Sequence, residues 1–158
     1  MKPSVDMSRV TPVDKMSGED ASETILLQRM LSRAEEYVKS FRWSRPIADK
    51  YLGVGIGDVL ALFLFRFESP INDSDEWLWV VEGDLPSAYF VIDDAPTPAT
   101  ALEIYCRLMG DWADAVTKGS SLDSSFPVLA EPTKEHAEML RTRIEFIRRK
   151  IIPLCAGD

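Results

Sequence analysis

Residues 59–67 constrain the fold of this chain more than any other stretch. They read VLALFLFRF, so that all but one of these side chains are apolar. Successive side chains of a β-strand point to opposite faces, and a strand with this sequence is therefore apolar on both faces. The aromatic and branched residues favour a strand over a helix. We therefore expect the rest of the chain to cover residues 59–67 from both sides.

Two further strands are predicted after this one, at residues 77–82 and 88–93. The segment SPINDSDE at 69–76 has the composition of a turn, and GDLP at 83–86 joins the next two strands. Connections this short suit antiparallel neighbours, because parallel strands need long crossovers. We predict one antiparallel sheet of at least three strands.

Helices are predicted before and after these strands in the sequence. Asp20 and Glu23 have the spacing of a capping box at the start of a helix over residues 21–42. Thr97 followed by Pro98 opens a second helix that runs to Lys118.

A third helix is predicted to begin near Thr133. The predicted order is α-β-β-β-α-α, an α+β fold with helices packed on an antiparallel sheet. Residues 1–19 show no hydrophobic period and are predicted to be a flexible tail. Residues 20–158 are then one α+β domain, which is an ordinary size for a domain.

Negative charge is concentrated in the middle of the sequence. The chain has a formal net charge of −8, and residues 51–100 hold nine acidic residues against one base, Arg66. A phosphate backbone attracts positive surfaces, so nucleic acid is not expected as a partner. A basic protein partner is electrostatically favourable.

The central acids fall mostly at the ends of the predicted strands, where turns meet water. Asp93 and Asp94 follow the last strand, and Glu76 precedes the strand beside it. If the two strands are antiparallel neighbours, these carboxylates lie near one another. Solvated turns explain this placement, and a carboxylate pair for acid–base or binding chemistry is the alternative.

Arg66 interrupts the apolar strand and is the only basic residue in positions 51–100. An arginine in such a strand needs a compensating charge, and we predict an ion pair with Glu82 on a neighbouring strand. The alternative role for Arg66 is to clamp the carboxylate of a substrate.

Trp77 and Trp79 alternate on one strand and share a face. Such a pair can form a stacking platform for bases, but this segment lacks the basic groove that those platforms use. We therefore expect Trp79 to belong to the core, with a binding role as the alternative.

Other motifs match known sites only in part. GVGIGD at 53–58 resembles a phosphate loop, yet a strand follows it where a helix is required, so a bent entry into the sheet is the simpler interpretation. The acids around Asp73 fail the calcium-loop pattern, because Leu78 stands where glycine is needed.

No catalytic residue, metal site or cofactor is predicted. His136 is the sole histidine, and the sequence contains no GxSxG motif, which leaves an exposed first-turn histidine as the simplest interpretation. Cys106 and Cys155 stand apart and are predicted to be reduced thiols of a cytoplasmic protein, although one disulfide between them stays open. The longest apolar run, VLALFLF, is too short for a membrane span.

Two functions from different classes are compatible with the sequence. The first is a noncatalytic protein-interaction or regulatory module whose acidic central segment neutralises a basic partner. The second is a small-molecule-binding protein or small enzyme with a pocket between sheet and helices, using Arg66 and a nearby carboxylate. A homodimer is expected in either case, because Met139 and Phe146 lie on the flank of the third helix outside its main apolar stripe.

Overall fold

The computed structural model describes residues 5–71, 75–123, 126–128 and 130–156. Its centre is a five-stranded sheet in which every strand pairs antiparallel with the next one along the chain. The strands are β1 (Thr11–Pro12), β2 (Ile47–Ile56), β3 (Leu60–Phe67), β4 (Trp77–Gly83) and β5 (Ala88–Val91). The predicted antiparallel sheet is confirmed, and it is larger than the three strands that defined it.

The first two helices begin at the predicted caps, and the first ends at residue 39, three residues before its predicted end. They are α1 (Ala21–Lys39), α2 (Pro98–Lys118), α3 (Lys134–Phe146) and α4 (Ile152–Ala156), with a π-helical turn at Ile147–Ile151 between the last two. Asp20 accepts a hydrogen bond from the backbone N–H of Glu23, and Thr97 and Thr100 cap α2 reciprocally. Gly119 ends α2 in the left-handed conformation, with φ of 70°.

The sheet lies between two helical layers. On one face Ala61, Phe63, Phe65 and Phe67 pack in one core cluster with the buried side of α1. On the other face Leu60, Leu62 and Leu64 pack in a second cluster with α2 and α3. The apolar residues of β3 are fully buried, so the expected cover on both faces comes from within a single chain.

The amino-terminal segment differs from the predicted flexible tail. Residues 1–4 lie outside the described part, but from Val5 onward the chain packs on the domain. Thr11 and Pro12 pair with Leu52 and Tyr51. The buried side chains of this segment are Val5, Val10 and Met16. They are spaced singly, without a helix or strand period, so no local pattern announced them and tertiary contacts decide their position.

The glycine-rich segment begins inside strand β2, where the sequence predicted a bent entry into the sheet. Gly53 and Gly55 lie inside β2. The predicted α-β-β-β-α-α order therefore lacks β2, and it also lacks the short strand β1. A Cβ atom on Gly55 would lie 2.6 Å from Cδ2 of Leu27 on α1. The glycine therefore permits the helix to approach the sheet closely, which explains its place in a strand that it weakens.

Candidate protein-interaction surface

Arg66 forms an ion pair at the end of β3, but its partner is Asp49 on β2. Nε and Nη2 of Arg66 lie 2.7 and 2.6 Å from Oδ2 of Asp49. The prediction that Arg66 pairs with Glu82 is therefore wrong. The register sets Arg66 opposite Trp77 and sets Glu82 opposite Ala61, near the other end of β3. Glu82 also alternates onto the opposite face of the sheet from Arg66.

Glu82 instead holds the turn between β4 and β5. It is 8% exposed, and its carboxylate accepts hydrogen bonds from Ser87 Oγ at 2.9 Å and from the Gly83 N–H at 3.2 Å. Tyr105 on α2 donates to the carbonyl of Pro86 in the same turn. These bonds satisfy a buried carboxylate internally, and they fix the turn against α2.

Trp79 lies in the core, on the face that α2 covers. Its side chain is fully buried, and Nε1 donates to the carbonyl of Ala95 at 2.9 Å. The indole thereby connects β4 to the loop that leads into α2. The structure does not bring Trp79 to the surface beside Arg66.

Four acidic residues lie together at one end of the sheet, which we call the acidic sheet end. Glu68 follows β3, Glu76 precedes β4, and Asp93 and Asp94 follow β5. The antiparallel register puts these three strand termini at the same end, since Phe67 bonds to the backbone of Glu76 and Leu78 pairs with Val91. Glu68, Asp93 and Asp94 are exposed, and Glu76 is half-buried. The carboxylates of all four make no ion pair with another described residue.

The opposite end of the sheet carries acids that the chain neutralises itself. Asp58 lies 3.2 Å from Nη2 of Arg33, and Asp84 lies 2.6 Å from Nη2 of Arg143. Arg143 also donates through Nε to the carbonyl of Asp84 at 3.0 Å. Asp58 and Asp84 are therefore paired at this end, whereas the four acids of the acidic sheet end form no ion pair with a described residue, although Arg66 and Asp49 pair beside them.

Two aromatic rings lie beside Arg66 at the acidic sheet end. Tyr51 and Trp77 stack with ring centroids 6.1 Å apart and planes 22° from parallel. Both side chains are half-buried, and their strands flank Arg66 on either side. The sequence indicated that Trp77 belongs to the core face of its strand, but its position at the first residue of β4 leaves one side open. Stacked rings next to carboxylates are suited to hold a cationic side chain.

His136 lies on a separate cavity of about 250 Å³ between α3 and the turn after β4. Leu85, Met139, Leu140 and Arg143 also line this cavity. Nδ1 of His136 lies 2.7 Å from Oγ1 of Thr133, the residue that caps α3. Arg66 does not line this cavity, so the pocket that the alternative function needs would use other residues than those predicted.

The two cysteines are free thiols. Burial raises the pKa of Cys106 to about 12, and burial also raises the pKa of Cys155. A thiol with so high a pKa is a poor nucleophile at neutral pH, which agrees with a structural role for Cys106 in the core.

No group of three or more His, Cys, Asp or Glu side chains in the described part of the chain could hold a metal ion. Asp73, which the calcium pattern included, lies outside that part. None of the described helices is both long enough and apolar enough to cross a membrane. Comparisons of the chain with protein-family models, with curated proteins and with solved structures found no match.

Proposed function

We propose that this protein is a noncatalytic interaction module and that the acidic sheet end binds a basic protein partner. The observation that carries the proposal is the contrast between the two ends of the sheet. Arg33 and Arg143 neutralise the acids at one end, whereas Glu68, Glu76, Asp93 and Asp94 form no ion pair with a described residue. Unpaired carboxylates gathered on rigid strand ends attract positive charge and orient an approaching partner.

Lysine and arginine side chains are the chemistry that this surface fits. The exposed carboxylates supply charge-assisted hydrogen bonds, and the Tyr51–Trp77 stack supplies aromatic ring faces for a cation. Aromatic residues at the centre of an interface, with charged residues around them, are a common arrangement in protein complexes. The ion pair of Arg66 with Asp49 reduces the repulsion that the single cation would otherwise present.

The proposal is tested with a defined cationic probe, a hexalysine peptide, followed by backbone-amide NMR. We expect shifts confined to the ends of β3, β4 and β5 near Glu68, Asp93 and Asp94. The triple variant Glu68→Gln/Asp93→Asn/Asp94→Asn should abolish these shifts. The shifts should also weaken as salt is raised, because the charges are exposed.

The matched control removes the same number of charges elsewhere. Asp111→Asn/Glu131→Gln/Glu135→Gln changes three exposed acids that lie outside the acidic sheet end. It should leave the NMR shifts unchanged. Equal loss of binding in both triple variants would show only general attraction to a negative protein, and the proposal would then be wrong.

A second candidate function is binding of a small molecule in the cavity beside His136. The observation that favours it is the combination of an apolar wall, formed by Leu85 and Leu140, with the polar side chains of His136 and Arg143. Screening a library of small fragments by NMR tests it. Hits whose shifts cluster on His136 and Met139, and vanish in Met139→Trp, would favour this function.

We also propose that the chain forms a homodimer through the flank of α3. Phe146 is 39% exposed and Met139 is 54% exposed, although both are large apolar side chains. A second copy related by two-fold symmetry would remove both from water.

A further inference from the structure

A cavity of about 480 Å³ opens between the end of α1 and the start of β2, on the face of the sheet that α1 covers. The residues that matter for its chemistry are Glu35, Lys39, Phe41, Ser44, Arg45 and Lys50. The α1 residues reach it from the last turn of the helix, and Phe41, Ser44 and Arg45 lie in the connection to β2. The cavity adjoins the acidic sheet end, because the Glu68 N–H donates to the carbonyl of Pro46 at 2.9 Å, but the four acids of that surface do not line it. It shares no lining residue with the cavity beside His136.

The lining of this cavity is positively charged in a protein that is strongly negative. Three cations face one acid, whereas the whole chain carries −8. Glu35 lies 3.1 Å from Nζ of Lys50 and 3.9 Å from Nζ of Lys39, so one carboxylate holds two ammonium groups near each other. One carboxylate cannot neutralise three cations, and the excess positive charge favours an anion.

The side chain of Arg45, which lines the cavity, is held by the backbone of the two preceding residues. Its Nη1 donates to the carbonyl of Trp43 at 3.0 Å and to that of Ser44 at 3.1 Å. A guanidinium has five N–H donors in a rigid plane, so these two bonds leave others for a ligand. The side chain is thus oriented before any ligand arrives.

Ser44 contributes a hydroxyl that the described chain leaves without a hydrogen-bond partner, although the oxygen is enclosed. Buried polar atoms are nearly always paired, so this one requires a reason. Ser44 lines the cavity, and a change of its χ1 rotamer would point the hydroxyl in another direction. An oxyanion there would accept the hydrogen bond that is missing.

Phe41 forms a rigid apolar wall. Its ring stacks on Trp43 with centroids 5.2 Å apart and planes 12° from parallel, and it meets the edge of Tyr37 at 5.2 Å. Trp43 is itself tied to the sheet through a hydrogen bond from Nε1 to the hydroxyl of Tyr89. A ring held in this way offers a flat contact for the apolar part of a ligand.

We propose that this cavity binds a phosphate ester with an aromatic body. A phosphate group has several acceptor oxygens, which lets it engage Arg45 together with Lys39, Lys50 and the hydroxyl of Ser44. The aromatic body lies against Phe41. This inference goes beyond the proposed interaction with a basic partner, because it assigns a second site of opposite charge.

The experiment uses phenyl phosphate as the probe, followed by calorimetry and by the NMR signal of the Trp43 indole N–H. Phenyl phosphate should bind and shift this signal, and inorganic phosphate should bind more weakly. Phenol should not bind. Arg45→Gln and Lys39→Gln should each weaken phenyl phosphate about tenfold, the usual effect of losing a charged hydrogen bond. Ser44→Ala should weaken it less and leave folding intact, since it removes an unpaired group.

Two controls separate a built site from general attraction. Arg42→Gln removes an exposed positive charge from the same connection without touching the lining, and Lys118→Gln does so at the end of α2. Neither should change the affinity. The proposal is overturned if Arg42→Gln weakens phenyl phosphate as much as Arg45→Gln does, or if no binding is seen to the unmodified protein.

Discussion

Arg66 holds a single oxygen of Asp49 with two of its nitrogens, Nε at 2.7 Å and Nη2 at 2.6 Å. The pair joins the ends of β2 and β3, and it lies where the acidic sheet end begins. Arg66 and Asp49 are 34% and 43% exposed, so water and salt screen their attraction.

The first prediction concerns the strength of this pair. A double-mutant cycle with Arg66→Met and Asp49→Asn should give a coupling free energy of about 0.2–1 kcal/mol, as is usual for partly exposed ion pairs. Chemical denaturation of the four proteins measures it. A coupling free energy several times larger would contradict this prediction, because it would mean that water and salt do not screen the pair.

The second prediction concerns Gly83, at the turn between β4 and β5. Its φ of 148° is unfavourable for other residues, and a Cβ atom there would clash with the backbone of Val59. Gly83→Ala should therefore lower the free energy of unfolding by about 1–3 kcal/mol or more. Thermal and urea denaturation test this.

Gly110 provides the matched control for Gly83. It lies inside α2, and a Cβ atom would meet nothing closer than Cδ1 of Ile144 at 4.0 Å. Gly110→Ala should raise the free energy of unfolding by about 0.5–1 kcal/mol, since alanine favours the helix. If both variants changed stability in the same direction, backbone strain at Gly83 would not be the cause.

The third prediction concerns acid stability through Glu23 at the start of α1. Its carboxylate accepts from the backbone N–H of Gly57 at 3.0 Å and of Glu19 at 2.6 Å, and these bonds hold its pKa below the ordinary value of 4.5. A lowered pKa in the folded state means that the ionised carboxylate stabilises the fold above pH 4.5. This stabilisation is lost as the pH falls through the folded-state pKa.

Glu23→Gln should therefore reduce stability at neutral pH, and the difference from the unmodified protein should shrink in acid. Denaturation curves from pH 7 to pH 3 measure it, with Glu36→Gln, at an exposed position of α1, as the control. If the difference in the free energy of unfolding between Glu23→Gln and the unmodified protein stayed constant with pH, the charge of Glu23 would not be the cause of the destabilisation.

The fourth prediction concerns self-association through Phe146. Light scattering at micromolar concentration should give about twice the chain mass of 17.8 kDa. Phe146→Glu should yield a folded monomer, because a charge in an apolar contact is costly. Ile25→Glu is the matched control, since Ile25 is also exposed but lies on α1. A concentration-independent mass of 17.8 kDa for the unmodified protein would contradict the dimer.

The sequence predicted the elements that carry a strong local signal. The apolar runs of β3 and β4 and the caps of α2 are such signals, and each element is present in the structure. β2 was not predicted, because glycines and charged residues break its pattern and all ten of its positions are half-buried. Since Asp49 lies on that strand, the true partner of Arg66 could not be predicted either.

The candidate sites divide along the same lines. The gathering of Glu76 with Asp93 and Asp94 at one end of the sheet follows from the antiparallel pairing that the short turns indicated. The cavity around Arg45 depends instead on how the irregular connection after α1 folds back on the helix. Such a connection has no period, and only tertiary contacts determine its shape.

The consecutive order of the strands has a consequence for the way the chain folds. β2, β3, β4 and β5 can zip together as successive hairpins, and each closes a short loop at little entropic cost. β1 is different, because Thr11 pairs with Leu52 and the whole of α1 lies between these two residues in the sequence. Closing this longer loop costs more entropy. We therefore expect the amino-terminal segment to dock last and to open first, in local fluctuations that leave the rest of the sheet intact.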